Sequence, residues 1–192
     1  MVSRALYDDE KDLGKLLIGR DGVAIVVHKS NPVQRLTRAQ VIDIYSGKTK
    51  SLSAVGGPDM PITVISKALG RSTLEVFTAY FGLPYRSIKA QSIVGDNEQE
   101  ITTIVGNKGA IGYVSIGSAE YEQKAGVAIK LVQLDSHIPS TRTVADGTYP
   151  ISRELNLVFR KPPSKETQDL LDFAGGPEAK KLVAKYFFIP TR

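Results

Sequence analysis

The feature that most constrains this chain is a set of short, unbroken apolar runs, each leading into or out of an amphipathic stretch. "DGVAIVVH" at 21–28, "ITVI" at 62–65 and "GAIGYVSIG" at 109–117 lack the polar alternation of a half-exposed strand. They are too short to stand as helices and fit strands covered on both faces. "VAIKLVQLD" at 127–135 and "LNLVFRK" at 155–161 add two further strands.

The segments between them carry helix punctuation. Thr37 followed by Gln40 is a capping box opening a helix with Val41, Ile44 and Tyr45 on its apolar side. Leu74, Phe77, Tyr80 and Phe81 share one helical face, closed by Gly82 and Pro84. Asp96 or Asn97 caps a helix carrying Ile101, Ile104 and Val105, and Ser164 caps one with Leu170, Leu171 and Phe173. Gly176-Pro177 opens a last helix with Leu182, Val183 and Tyr186 expected inward, and 7–15 reads as a short polar helix. Strands alternating with helices predict an α/β fold with largely parallel sheets.

Composition narrows the function classes. The chain has 192 residues, 42% apolar and 23% charged, an ordinary globular balance. Its net charge of +5 favours anionic ligands. The basic residues are dispersed, and no RNA-reading signature or recognition helix accompanies them, so nucleic acid is not the expected partner. Cysteine is absent, and the two histidines, His28 and His137, stand apart without ligand spacing, so neither a metal nor a cofactor is expected. No apolar run approaches 18 residues, and "MVSRALYDDE" lacks the layout of a secretory signal. Carboxylates at Asp8, Asp9, Glu10, Asp96 and Glu98 read as helix-start charges and solvated faces, with no nucleophile–histidine set beside them, so no catalytic residue is expected.

One junction concentrates donors. In "ISKALGRSTLEVF", residues 65–77, a strand feeds a helix through Lys67, Gly70, Arg71, Ser72 and Thr73. In open α/β sheets ligands collect where strand carboxyl ends meet helix N-termini, whose first-turn amides lack internal acceptors and favour an anion. Gly70 permits positive φ or close backbone approach, Ser72 or Thr73 supplies a cap, and Lys67 and Arg71 supply charge. The same residues also suit a plain turn and cap. The Gly-Lys-Ser/Thr tail of a Walker nucleotide loop is missing.

This junction resembles the Ser-Arg-x-x-Gly-Ser-Gly-Thr loop of the phosphate-binding proteins, the solute receptors of phosphate ABC transporters. The similarity runs in order through "VSRALYDDEK", "IGRDGVAIVVHKSNPVQRLTRAQVIDIYSGKTKSLSAVGGPDMPI", "NKGAIGYVSIG", "DGTYPISRELNLVFRK" and "FAGGPEAKKLVAKYFFIP". The resemblance implies a two-lobed periplasmic-binding-protein-like fold of type II, with the ligand clamped between lobes. On that map 33–110 forms lobe II, while 1–32 and 111–192 form lobe I, with crossovers near His28 and 113–115. Ser3 and Arg4 match the family's Ser-Arg dipeptide, which faces the ligand. Gly70 and Thr73 match the loop outright, Arg71 and Ser72 replace its Ser-Gly, and Lys67 stands where the family has arginine. Lysine for arginine exchanges a bidentate fork for a point charge. The family's opening strand, first helix and early donor loop have no counterpart here, so the first lobe is expected to be incomplete at its N-terminus.

The implied function is capture of inorganic phosphate, or a second tetrahedral oxyanion, in an interlobe cleft for delivery to an ABC transporter permease, outside the inner membrane in the periplasm or at the cell surface. The alternative is a non-transport sensor or interaction module whose incomplete lobe is completed by another chain or by homodimerisation, since unpaired sheet edges invite a partner strand.

Overall fold

The computed structural model describes residues 1–3 and 6–191. Contacts divide the chain into two compact units, one of Gly22–Ile151 and one of Met1–Asp21 with Ser152–Arg192.

A strand of 15 residues, β1 (Gly14–His28), runs through the boundary. Its second half, 21–27, is buried throughout, as an unbroken aliphatic run requires. In the Gly22–Ile151 unit it is followed by β2 (Arg35–Leu36), α1 (Arg38–Tyr45), β3 (Thr63–Lys67), α2 (Ser72–Phe81), β4 (Ser92–Val94) and α3 (Asn97–Gly106). Then come β5 (Ala110–Ser115), α4 (Ile116–Lys124), β6 (Ile129–Leu131), β7 (Gln133–Leu134) and α5 (Thr141–Ala145). The main sheet has the order β4-β3-β5-β1-β6. Strands β4, β3 and β5 are parallel, while β1 is antiparallel to both β5 and β6. The sheet is therefore mixed where a largely parallel one was expected. A strand pattern reports burial on both faces but not the direction of its neighbours.

Several local expectations hold. Thr37 Oγ1 accepts from Gln40 N–H at 3.2 Å while Gln40 Oε1 accepts from Thr37 N–H at 2.8 Å, and Val41, Ile44 and Tyr45 are the buried residues of α1. Asp96 caps α3 through Gln99 N–H at 2.9 Å, and Gly82 ends α2 in the left-handed region. Others do not. The strand expected over 109–117 turns into α4 at Ile116, and β4 and α5, too short for periodicity to register, went unforeseen. Val105 is 39% exposed, unlike Ile101 and Ile104.

Strand parity sorts the core into two layers. On one face Val26, Ile65 and Val94 pack with Ala110 and Val114 against Ile101 and Ile104 of α3. On the other, Tyr113 stacks on Phe77 with ring centroids 4.0 Å apart, and Tyr45 and Phe81 complete an aromatic cluster.

In the second unit, residues 7–15 make only a 3-10 turn, Asp8–Glu10, instead of the expected helix, because the chain enters β1 at Gly14. The unit continues through β8 (Ser152–Phe159), α6 (Lys165–Gly175), α7 (Pro177–Lys185) and β9 (Ile189–Pro190). The first half of β1 pairs with β8 and β9. Ser164 caps α6 through Thr167 N–H, and Pro177 starts α7. Leu182 and Tyr186, expected inward, are 45% and 64% exposed, and Leu170 and Phe173 are similarly open. Within this unit α7 packs on α6 and β9.

The expected lobes, 33–110 and 1–32 with 111–192, are drawn on other bounds than these packing units. Residues 22–32 and 111–151 share a core with 33–110, because β1 is held between β5 and β6. No helix among the described residues is long and apolar enough to cross a membrane.

Candidate anion site at the β3–α2 turn

The carboxyl ends of the parallel strands β4, β3 and β5 each feed a helix: α3, α2 and α4 respectively. Their N-termini therefore lie along one edge of the sheet, the edge at which ligands collect in open α/β folds. Asn97 of α3 reaches Ser118 of α4, Nδ2 to Oγ 3.5 Å, which ties two of these starts together.

At the β3–α2 turn Gly70 has φ +81°, with open space where a β-carbon would stand. A side chain there would be strained by the backbone alone. Arg71 occupies the cap position of α2 in an extended conformation and makes no side-chain cap bond. Ser72, expected as a cap with Thr73, is instead the first helical residue. The Arg71 carbonyl accepts from Leu74 N–H and Glu75 N–H, so the turn satisfies the second half of the first helical turn. Thr73 is buried.

Lys67 departs most from expectation. Read as a ligand residue, it is only 1% exposed. It is the last residue of β3, and strand alternation gives it the α3 side of the sheet while Ser66 takes the α2 side. Accordingly, Ser66 Oγ hydrogen-bonds Tyr113 OH at 2.9 Å. Lys67 Nζ meets Glu100 Oε2 at 2.5 Å and donates to the Asp96 carbonyl at 2.5 Å. Glu100 is itself fully buried, and its Oε1 accepts from Tyr113 N–H at 2.6 Å. Among the described residues, Oε2 has no hydrogen-bond donor besides this ion-pair contact.

Gly112 makes room for this arrangement. A β-carbon there would collide with Glu100 Oε1, so the strand can accept a carboxylate against its face only as glycine. Burial pushes the Glu100 carboxyl up to about 7, against the opposing pull of Lys67 and the Tyr113 amide. Burial likewise lowers the Lys67 ammonium below its ordinary value, against the support of Glu100.

Lys67 and Arg71 nonetheless converge on one place, the β4–α3 turn. Lys67 holds the Asp96 carbonyl, and Arg71 Nη2 lies 3.6 Å from the position of a β-carbon on Gly95. The Arg71 charge is close enough to oppose that of Lys67. The structure thus sets Gly70, Arg71 and Ser72 at the β3–α2 turn with Thr73 buried in the first turn of α2, and turns the Lys67 side chain inward onto Glu100.

Ser3 belongs to the other unit, where Val2 bridges Asn156, and Arg4 lies outside the described residues. Glu100 was missed by sequence reading. Its signal was its position four residues before Ile104, on the buried stripe of α3, opposite a strand with glycine at 112.

A family model described as a PBP superfamily domain matches residues 1–178. The phosphate-binding protein PstS of Staphylococcus epidermidis is 29% identical over 185 residues, 90% of this chain and 56% of that protein. The one from Staphylococcus saprophyticus is 31% identical over 187 residues, 90% of this chain and 57% of that protein. An ABC-type phosphate transport receptor from Vibrio cholerae superposes with a TM-score of 0.84 at 30% identity, covering 98% of this chain and 78% of that one. A substrate-binding protein from Clostridium perfringens, solved with bound phosphate, gives 0.83 at 29%, covering 99% and 77%. The chain spans about half the length of the curated relatives it matches.

Proposed function

This chain belongs to the PBP superfamily, among its phosphate-binding proteins, and from that premise we propose that it captures inorganic phosphate, or a similar tetrahedral oxyanion, for an ABC transporter. The observation that carries the reading is the open turn after β3, where Arg71 stands at the start of α2 and reaches the start of α3. Two helix N-termini and a guanidinium favour the same small anion. Gly70, Arg71, Ser72 and Thr73 are the proposed contacts, with Lys67 as a cation beneath them and Ser3 and Arg4 as the matching residues near the chain start. The proposed setting is outside the inner membrane, where a permease takes over the anion.

Magnitudes set the expected strength. Each charge-assisted hydrogen bond contributes about 1.5–3 kcal/mol, so four or five give roughly 6–15 kcal/mol gross. Association consumes about 4–15 kcal/mol, and micromolar binding needs about 8 kcal/mol net. Donors of this turn alone therefore bind weakly. Isothermal titration should show saturable heat with phosphate at submillimolar to millimolar concentration, weaker with sulfate. Absence of heat with either anion, or with other oxyanions, would sink the reading.

A second reading draws on the exposed Leu170, Phe173, Leu182 and Tyr186 of α6, α7 and the residue after α7. Such side chains favour an interaction module completed by another chain or a second copy. Light scattering separates the two: a monomer that takes up phosphate supports the receptor, and a stable oligomer without phosphate binding supports the module.

A further inference from the structure

We propose that Glu100 is a built-in counter-anion for Lys67, competing with phosphate for that ammonium and thereby setting how tightly the chain holds its anion. This rests on the receptor reading above. The geometry is that of an occupied cation. Lys67 Nζ, 1% exposed, donates to Glu100 Oε2 and the Asp96 carbonyl, each at 2.5 Å, at the β4–α3 turn and within reach of the Arg71 charge.

Gly112 leaves the space that lets the carboxylate reach this position, and Tyr113 N–H fixes its other oxygen. The groups facing Glu100 come from every element around it: Lys67 from β3, Tyr113 from β5, Tyr45 from α1 and Asp96 at the start of α3, with Arg71 acting on Lys67 from the start of α2. Burial holds Tyr45 and Tyr113 neutral and raises the Glu100 carboxyl to about 7.

Lysine is a point charge on four rotatable carbons, so its ammonium can turn from Glu100 toward an anion at the turn. Glu100 is then a buried carboxylate without its cation, and burial favours its protonated form. Phosphate binding is accordingly coupled to uptake of a proton from solvent by Glu100. Above about pH 7 the ionised carboxylate competes fully, and below it the protonated carboxyl releases Lys67.

The test is isothermal titration with inorganic phosphate at pH 6 and pH 8. It compares the natural chain, Glu100→Gln and the double variant Lys67→Met with Glu100→Gln. Glutamine keeps the acceptor for Tyr113 N–H and removes the charge. Glu100→Gln should bind about tenfold tighter than the natural chain at pH 8, with the gap closing toward pH 6. The double variant should lose that gain. The titration of phosphate itself is common to all three proteins and cancels in the ratios.

In the natural chain at pH 7.5, binding heats with sulfate, which carries no proton that titrates near neutrality, in two buffers of different ionisation enthalpy should report net proton uptake. A folded Glu100→Gln with unchanged affinity at both pH values overturns the inference, as does a gain that survives in the Lys67→Met background. If Glu100→Gln does not fold, the buffer comparison decides, and heats without proton uptake overturn it. Saturable heat from the natural chain with no effect of Glu100→Gln defeats this inference alone. No heat from any of the three defeats the receptor reading as well.

Discussion

Phe77→Ala is expected to destabilise the Gly22–Ile151 unit by about 3–5 kcal/mol, the range for truncating a fully buried aromatic. Phe77 is 0% exposed. Its ring stacks on Tyr113 at 4.0 Å and 12°, and lies 4.6 Å from Tyr45 and 4.7 Å from Phe81. Three rings fix the walls of the resulting void, so collapse around the alanine is limited, and aromatic pairs add about 0.5–1.5 kcal/mol each beyond area. The loss also reaches the turn, because Tyr113 OH holds Ser66 Oγ and accepts from Lys67 N–H at 3.2 Å. Urea unfolding followed by tyrosine fluorescence measures the change. A loss below about 1 kcal/mol would mean that the cluster repacks and does not act as one block.

Asp21→Ala is the second large effect, and it strikes the other unit. Arg153 Nη2 and Nε donate to Asp21 Oδ2 at 2.7 and 3.2 Å, with Asp21 1% exposed. A guanidinium cannot shed its proton, so removal of the carboxylate takes two charge-assisted hydrogen bonds from a buried cation, at about 3–5 kcal/mol. The contrast with Lys67 and Glu100 is physical, since either member of that pair can neutralise when its partner leaves. Replacing both residues, Asp21→Leu with Arg153→Met, should recover most of the loss, because a hydrophobic pair avoids the desolvation of two ions. Denaturation of the single and double variants measures this. Equal instability in both would assign the loss to lost packing instead of the broken ion pair.

Much of the architecture was legible because it depends on local chemistry. The Thr37 box, the Asp96 and Ser164 caps, Pro177 at a first helical turn and positive φ at Gly70 each follow from what one residue does to the backbone within a few positions. The unbroken run at 21–28 reported burial on both faces, and burial is what the strand shows. Direction was not legible: nothing in that run distinguishes a parallel from an antiparallel neighbour, and β1 proved antiparallel to both. Short elements such as β4 and α5 complete too little of a period to be seen.

The candidate site divides along the same line. Sequence alone determined that an apolar strand over 62–65 feeds a helix through a glycine-bearing turn rich in donors, whereas the structure carries that strand on to Lys67. With Ser66 and Lys67 inside the strand, alternation sets them on opposite sides of the sheet. Tertiary structure alone decided which side held what. The aromatic cluster and α2 took the Ser66 side, and α3 took the other and brought Glu100 from 33 residues away onto Lys67, over the space left by Gly112. Local propensities act through bonds and neighbours a few residues apart, whereas a buried charge finds its partner only once two distant elements are packed.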